Sequence, residues 1–349
     1  MRKIAIGNKK IGSGEPCFII AEAGVNHNGS LDCAKQLIDA ACKSGADAVK
    51  FQTFSADRIA SRTARKADYQ LRTTDVEESQ YTMLKKLELP PEDFHVLAEY
   101  TKKKGVVFLS SPFDCESVDI LEKAGVDAYK IPSGEITNVP LLRHIAGKRK
   151  PVILSTGMAE MEEIAEAVKL FRNLGIRDLI LLHCVTSYPA ASDTLNLQVI
   201  KTLRRTFGIP VGFSDHSQGI FAAVISRVLG ACVIEKHFTL DRNMPGPDHQ
   251  ASLEPDELAA LVAAVRATDS ALGDGKKHIL PAEQAIKCIA RKSLVAREDI
   301  PAGATVTQKM FEVKRPGTGI SPRDIELVVG RTAKRQIPRD TVLTWMDLA

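Results

Sequence analysis

Three of the eight histidines of this chain crowd into one short region. They are His216 in "GFSDHSQG" and His237 and His249 in "VIEKHFTLDRNMPGPDH". His216 and His237 end successive apolar runs and stand 21 positions apart, the length of one strand–helix unit. Two imidazoles on neighbouring strands, completed by an acidic group or water, make a divalent-metal site with open positions. Mn²⁺ or Zn²⁺ suits nitrogen ligands, whereas either histidine alone reads more simply as a hydrogen-bonded structural residue. Lys50 in "AVKFQTF" and Lys130 in "AYKIPSG" interrupt apolar runs, where an unpaired ammonium is costly. Three chemistries fit them. They can form internal ion pairs with Glu22 or Glu135. They can clamp a phosphate and a carboxylate, with Ser111, Ser133 and Ser155 as further donors. One of them can also be the Schiff-base lysine of a metal-free aldolase. Glu22 and Glu135 are the acid/base candidates, because nothing apolar explains a carboxylate at a strand end.

Such residues need a frame that brings distant segments together. Eight short apolar runs recur: 18–26, 48–54, 106–112, 128–134, 151–157, 178–184, 210–216 and 232–239. Continuous apolar runs are what buried parallel strands require. Amphipathic stretches separate them. Ser30 is placed to cap "LDCAKQLIDAACKSG" and Gly45 to end it, while Pro255 suits the first turn of "DELAALVAAVRATDSALG". Eight such pairs predict a closed (β/α)₈ TIM barrel over residues 1–280 with an N-terminal hairpin; an open doubly wound sheet fits the alternation but less easily the count.

In a barrel, the C-terminal strand ends surround one pocket. That predicts a shared site for Glu22, Asn26, His27, Lys50, Gln52, Ser110, Ser111, Lys130, Ser133, Glu135, Ser155, Thr156, His183, Thr186, Tyr188, His216 and His237. Asp248 and His249 join it from the Pro/Gly-rich loop "NMPGPDHQASLEP". Lys236 should face away from the pocket, and Cys184 reads as core. The polar, Arg-rich insertion 55–88 follows strand two and so lies over the same face. Beyond residues 281–290, taken as a linker, "AREDIPAGATVTQKMF" (296–311) resembles "AKRQIPRDTVLTWMDL" (333–348). This internal repeat predicts a small β-rich domain over 291–349.

Bulk properties narrow the partners. The chain has 349 residues, 47 basic against 43 acidic, a net charge of +4, and no long like-charge run. That argues against nucleic acid while leaving room for a small anion. Seven cysteines scattered through apolar segments read as reduced thiols. No apolar stretch is long enough for a signal peptide or a membrane span, so a cytoplasmic protein is expected.

The motifs "AEAGVNHNG", "GADAVKFQTF", "KADYQ", "SSPFD", "KIPSGEITN", "ILSTGM", "LLHCVTSYP", "GFSDHS", "EKHFTLD", "GPDHQASLEP" and "KRPGTGI" occur in one order over nearly the whole chain. Together they resemble the sialic acid synthase family, the bacterial enzymes that make N-acetylneuraminate and related nonulosonates. The C-terminal repeat is similar to the family's antifreeze-like (SAF, β-clip) domain. The resemblance implies condensation of phosphoenolpyruvate with N-acetylmannosamine, giving a nine-carbon 2-keto sugar acid and phosphate by C–O cleavage. A legionaminate or pseudaminate synthase, using a 2,4-diacetamido-2,4,6-trideoxyhexose, is the alternative. A non-catalytic carbohydrate-binding barrel is a more distant one.

By the same resemblance the metal, most often Mn²⁺ with Mg²⁺, Co²⁺ or Zn²⁺ as options, falls to His216 and His237. Phosphoenolpyruvate falls to Lys50, Ser111, Lys130, Ser133 and Ser155. The active-site carboxylates match Glu22 and Glu135, and the sugar contacts match Gln52, Tyr188 and Asp248. The family often has Asn where this chain has Thr186. It pairs as a domain-swapped homodimer in which a partner's arginine reaches the sugar, a role that falls on Arg315.

Overall fold

Each of the eight apolar runs forms a strand, and the strands lie parallel in one ring. The computed structural model describes residues 2–349. A hairpin of β1 (Ile4–Ile6) and β2 (Lys9–Ile11) precedes β3 (Phe18–Gly24), β4 (Ala48–Thr53), β5 (Val107–Pro112) and β6 (Tyr129–Ile131). Then follow β7 (Val152–Ser155), β8 (Leu179–Cys184), β9 (Val211–Asp215) and β10 (Val233–His237). The hydrogen-bonded order is β5-β4-β3-β10-β9-β8-β7-β6, and its two ends, β5 and β6, lie in contact. This is the expected (β/α)₈ architecture.

Local signals explain the connecting helices. Ser30 Oγ accepts from the Cys33 backbone N–H at 3.3 Å and starts helix Leu31–Lys43; Gly45 follows it with φ +80°. Pro255 opens helix Pro255–Leu272. The helices bury Leu37, Leu97, Leu121, Leu142, Phe171, Leu203 and Leu261 against outward strand residues such as Ile19, Val49, Leu154 and Leu181.

Strand alternation assigns the other side chains to the barrel interior. At the N-terminal ends of the strands these are apolar: Phe18, Ile20, Ala48, Val107, Leu109, Ala128, Ile153, Ile180, Leu182 and Val233. Ile4, Ile6 and Ile11 of the hairpin join the same cluster, so β1 and β2 plug that end of the barrel.

Insertion 55–88 folds as three short helices, Ala56–Ile59, Asp68–Thr73 and Gln80–Leu87. Buried Lys66 ties it together: its Nζ donates to Thr74 Oγ1 at 2.8 Å and to the Asp75 carbonyl. Gly29 (φ +72°) seats the last helix, since a Cβ there would lie 2.8 Å from the Lys86 carbonyl oxygen.

The chain divides into two compact units, up to Gly273 and from Asp274 onward. Residues 281–290, expected as a linker, are helical (Pro281–Ala290), with Pro281 in the first turn and Glu283 Oε2 accepting the Leu280 N–H. In the second unit β11 (Ser293–Ala296) pairs antiparallel with β12 (Phe311–Lys314). The two halves of the sequence repeat meet at their shared Ile-Pro: Ile300 and Ile337 exchange both backbone hydrogen bonds, each 2.9 Å. The 3₁₀ turns Gln308–Met310 and Trp345–Asp347 occupy equivalent places in the repeat, around a core of Leu294, Val306, Phe311, Ile337 and Leu343. All seven cysteines are free, and no described helix is long and apolar enough to cross a membrane.

Candidate active site

A cavity of about 340 Å³ opens at the C-terminal ends of the strands. It is lined by Glu22, Lys50, Gln52, Ser111, Lys130, Ser133, Glu135, Ser155, Thr186, Tyr188, His216, His237 and Asp248. Residues from all eight strands and their following loops thus converge, and Glu22, Lys50, Ser111, Lys130 and Ser155 each stand two positions beyond an inward apolar side chain.

The floor is a buried network of two ammonium groups and two carboxylates. Lys50 Nζ lies 2.6 Å from Glu22 Oε2, donates to Ser111 Oγ at 3.1 Å, and lies 3.8 Å from Glu235 Oε2. Lys130 Nζ is 3.3 Å from Glu235 Oε1, which also accepts from Ser214 Oγ at 2.9 Å. Burial works against charge on every member, and the partners decide the outcome. Burial pushes Glu22 above the usual carboxylate range despite the pull of Lys50. For Glu235, burial is outweighed by Lys130 and Lys50, which hold the carboxyl low. Burial likewise depresses Lys130, offset only in part by Glu235, whereas Glu22 and Glu235 keep Lys50 high. The two lysines therefore differ in how tightly their charge is already held, and Lys130 is the less satisfied cation.

This pairing differs from the sequence expectation. Glu135, expected as an internal partner for a lysine, sits in the 3₁₀ turn Ser133–Glu135 at the cavity side, where its Oε2 accepts from Asn138 Nδ2 at 2.6 Å. Glu235 takes the buried role. Its signal was present in the sequence: it stands two residues before His237 on the same strand and hence on the same face.

Against one wall stand the two histidines, ring centroids 5.4 Å apart. His216 Nδ1 lies 2.8 Å from the Val185 carbonyl, which fixes the ring and leaves Nε2 as its free nitrogen. Burial drives His237 well below its ordinary pKa, with His216 and Lys50 adding to the shift, so it is neutral; its Nδ1 is buried without a hydrogen-bond partner. A neutral imidazole with an unpartnered ring nitrogen suits metal ligation. Among the described residues no group of three His, Cys, Asp or Glu stands ready around an ion. These residues thus fit a metal that would be held by the two imidazoles.

Tyr188 covers His216, with ring centroids at 4.1 Å, and Tyr69 from the insertion stacks on Tyr188 at 4.8 Å. Burial pushes the Asp248 carboxyl up to about 6, opposed by His216 and Lys50. Ser155 Oγ is buried and unpartnered at the floor. Gly157 permits the packing beside it: a Cβ there would overlap Thr186 Oγ1 and Ser133 Oγ, and its N–H donates to Ser133 Oγ at 2.9 Å.

The chain matches the NeuB family over residues 37–277 and the SAF domain over 291–349. It is 46% identical over 343 residues to the N,N'-diacetyllegionaminic acid synthase of Legionella pneumophila, covering 97% of this chain and 96% of that protein. It is 49% identical to the protein of that name from Campylobacter jejuni, covering 93% and 98%. The crystal structure of N-acetylneuraminic acid synthetase from Leptospira borgpetersenii superposes with a TM-score of 0.73 at 38% identity, over 82% of this chain and 95% of that one. The chain belongs to the NeuB family. It is accordingly an enzyme, a synthase of the sialic-acid type.

Within this NeuB-family chain some strand-end residues turn away from the cavity. Ser110 bonds Thr53 Oγ1 at 2.7 Å, Thr156 Oγ1 donates to the Leu182 carbonyl at 2.9 Å, and His183 Nε2 lies 2.7 Å from the Leu195 carbonyl. Asn26 Nδ2 donates to the Phe238 carbonyl at 2.9 Å, and His27 Nδ1 accepts from the Gly29 N–H at 3.1 Å. His249 is likewise buried against Thr239 at 2.7 Å. Strand parity explains Ser110 and His183, each one residue out of phase with an inward neighbour. Lys236 also faces outward, as expected, paired with Asp215 at 2.8 Å. Arg315 lies in the second unit, exposed, with Nε donating to the Ala290 carbonyl at 3.2 Å. Tyr69 was not legible as a site residue, because its place depends on how the insertion folds back.

Proposed function

We propose that this enzyme condenses phosphoenolpyruvate with an N-acetylated hexose, forming a nine-carbon 2-keto sugar acid and releasing inorganic phosphate. One observation carries the reading: two buried ammonium groups meet at the floor of the cavity whose wall presents two adjacent histidines. An anion clamp is thereby set beside a site suited to an aldehyde.

Lys50 and Lys130 take the phosphate and carboxylate of phosphoenolpyruvate, with Ser111, Ser133 and Ser155 as hydrogen-bond donors. Holding both anionic ends aims carbon 3 at the acceptor, so much of the rate gain is orientation. Tyr188, Gln52 and Asp248 hold the open-chain sugar with its aldehyde toward His216 and His237. A divalent metal bound by those histidines, Mn²⁺ in the first instance, would supply Lewis-acid polarisation of the aldehyde oxygen. As carbon 3 bonds to the aldehyde carbon, positive charge develops at carbon 2 and water adds there. The carboxyl groups of Glu22 and Glu135 are the cavity's means of moving the protons, one to the new hydroxyl and one from the water. The tetrahedral intermediate then loses phosphate by cleavage of the carbon 2–oxygen bond, leaving the ketone.

The likeness to two proteins named N,N'-diacetyllegionaminic acid synthase supports a 2,4-diacetamido-2,4,6-trideoxyhexose, rather than N-acetylmannosamine, as the acceptor of this enzyme. A homodimer in which the partner's Arg315 reaches the sugar agrees with helix Pro281–Ala290, which has no buried residue and exposes Ile286 (61%) and Ile289 (69%). Such a biosynthetic enzyme would work in the cytoplasm.

Phosphate release from phosphoenolpyruvate, measured with Mn²⁺ and each sugar in turn, tests the reading. Release that needs a sugar and stops in EDTA is expected. Sugar-independent release would overturn it in favour of simple phosphoenolpyruvate hydrolysis, and full activity in EDTA with borohydride trapping of a lysine would overturn it in favour of a Schiff-base aldolase.

A further inference from the structure

The other end of the barrel, where the strands begin, carries a recess of about 270 Å³. It is lined by Arg2, Arg172, Ile176, Arg177, Leu179 and Ile209. Leu179 starts β8 and Ile209 lies just before β9, so this recess and the cavity described above sit at opposite ends of the same strands. Ile176 and Leu179 are buried and give it an aliphatic base. Every charged residue lining it is an arginine.

Two of the three arginines have structural roles that use only part of each guanidinium. Arg2 Nε lies 3.1 Å from Asp178 Oδ1. Arg172, in the last turn of helix Met161–Asn173, donates from Nη2 to the Phe207 carbonyl at 2.6 Å and ties that helix end to helix Val199–Phe207. A cation there also suits the partial negative charge of terminal helix carbonyls. Arg177 has no such duty. It is exposed, stands between a turn and β8, and its side chain makes no ion pair or hydrogen bond among the described residues. A neighbouring recess of about 480 Å³, lined by Pro210 and Val211 directly after Ile209, adds Arg204, which likewise makes no ion pair among the described residues. Gly230 (φ +102°) leaves room for that guanidinium, since a Cβ there would overlap Arg204 Nη1. The carboxylates of the second recess are already taken, Glu15 by Lys3 and Asp269 by Arg227.

We propose that this end of the barrel binds the phosphate group of a small molecule between Arg2, Arg172 and Arg177, at a site separate from the cavity. Guanidinium groups are rigid, planar forks of N–H donors that match phosphate oxygens and hold them by paired, charge-assisted hydrogen bonds. Three like charges over an aliphatic base repel one another, and Asp178 alone offsets them. A phosphate carries more charge than a carboxylate and has more oxygens to share among three forks, so it relieves that repulsion best. The second recess, with Arg204 beside it, gives room for the rest of a phosphate ester. This site stands whether or not the condensation proposed above is correct.

The test is calorimetric binding of orthophosphate and of ATP, at fixed ionic strength, to the wild type, Arg177→Gln and Arg205→Gln. Arg205 is an exposed arginine of helix Val199–Phe207 that lines neither recess, so its loss matches the charge change without touching the site. Arg177 has no side-chain partner to lose, and thermal unfolding of both variants should match the wild type. Arg177→Gln should weaken phosphate binding roughly tenfold, the size of one lost charge-assisted hydrogen bond, while Arg205→Gln leaves it unchanged. The lysines of the cavity floor also attract phosphate, but neither substitution reaches them, so the dependence on Arg177 is what assigns the site. Weakening seen with orthophosphate alone supports the site and makes free phosphate its ligand; weakening seen with ATP supports it and makes the ligand a phosphate ester. Binding of both ligands that Arg177→Gln leaves unchanged overturns the inference, as does an equal loss in the two variants, which would reflect net charge only.

Discussion

Along the barrel strands, one residue faces the plugged end and the residue two positions later faces the cavity. Ile20 gives way to Glu22, Ala48 to Lys50, Leu109 to Ser111, Ala128 to Lys130, Ile153 to Ser155 and Val233 to Glu235. Backbone geometry is the same at both levels; what differs is the boundary. Ile4, Ile6 and Ile11 seal the lower layer, so only hydrocarbon is stable there. The upper layer opens to a cavity, and its charges are tolerable because each ammonium meets a carboxylate. The lower layer therefore contributes stability and the upper layer chemistry, with about one strand repeat between them.

Substitutions at the two levels should separate these contributions. The largest effect belongs to the upper layer: His237→Ala should lower turnover roughly a thousandfold or more and remove its response to Mn²⁺. Its thermal unfolding should stay close to wild type, and a variant that keeps metal-dependent turnover would break the division. Next comes Glu235→Gln, which strands Lys130 as an uncompensated buried charge and should cost about 3–5 kcal/mol in urea unfolding. Glu235→Gln with Lys130→Gln should recover much of that loss while remaining inactive; no recovery would mean that the layer is not held by mutual charge.

In the lower layer, Ile6→Ala should cost about 2–4 kcal/mol, and Ile153→Val only about 0.5–1.5 kcal/mol. Both should leave kcat per folded molecule unchanged. A fall in kcat with Ile153→Val would show that the floor of the site transmits strain from below. At the second unit, Arg315→Ala should raise the sugar KM more than the phosphoenolpyruvate KM, and an unchanged sugar KM would remove the partner's Arg315 from the acceptor site.

Much of this division is legible before folding. The eight strands, the helix starts at Ser30 and Pro255, and the Ile-Pro repeat that pairs Ile300 with Ile337 all follow from local periodicity and capping. The converging residues were legible too, since polar groups at the ends of apolar strands have one place to go in a barrel. Strand parity was the weaker point. Ser110 and His183 stand beside cavity residues in sequence yet face the opposite side, because one step along a strand reverses the face.

The sequence by itself determined the order of strands and helices, the charged layer, the adjacency of His216 and His237, and the presence of an insertion over the site. These depend on spacing along the chain or between neighbouring strands. Only the tertiary structure decided that Lys130 pairs with Glu235, whose strands β6 and β10 are not neighbours in the ring, and that Tyr69 stacks on Tyr188. It also decided that Ile59, Met83, Leu84 and Leu87 line the cavity rather than an ordinary core. Those contacts cross the barrel or close a long insertion, so they are set by ring closure and packing, which no local pattern encodes.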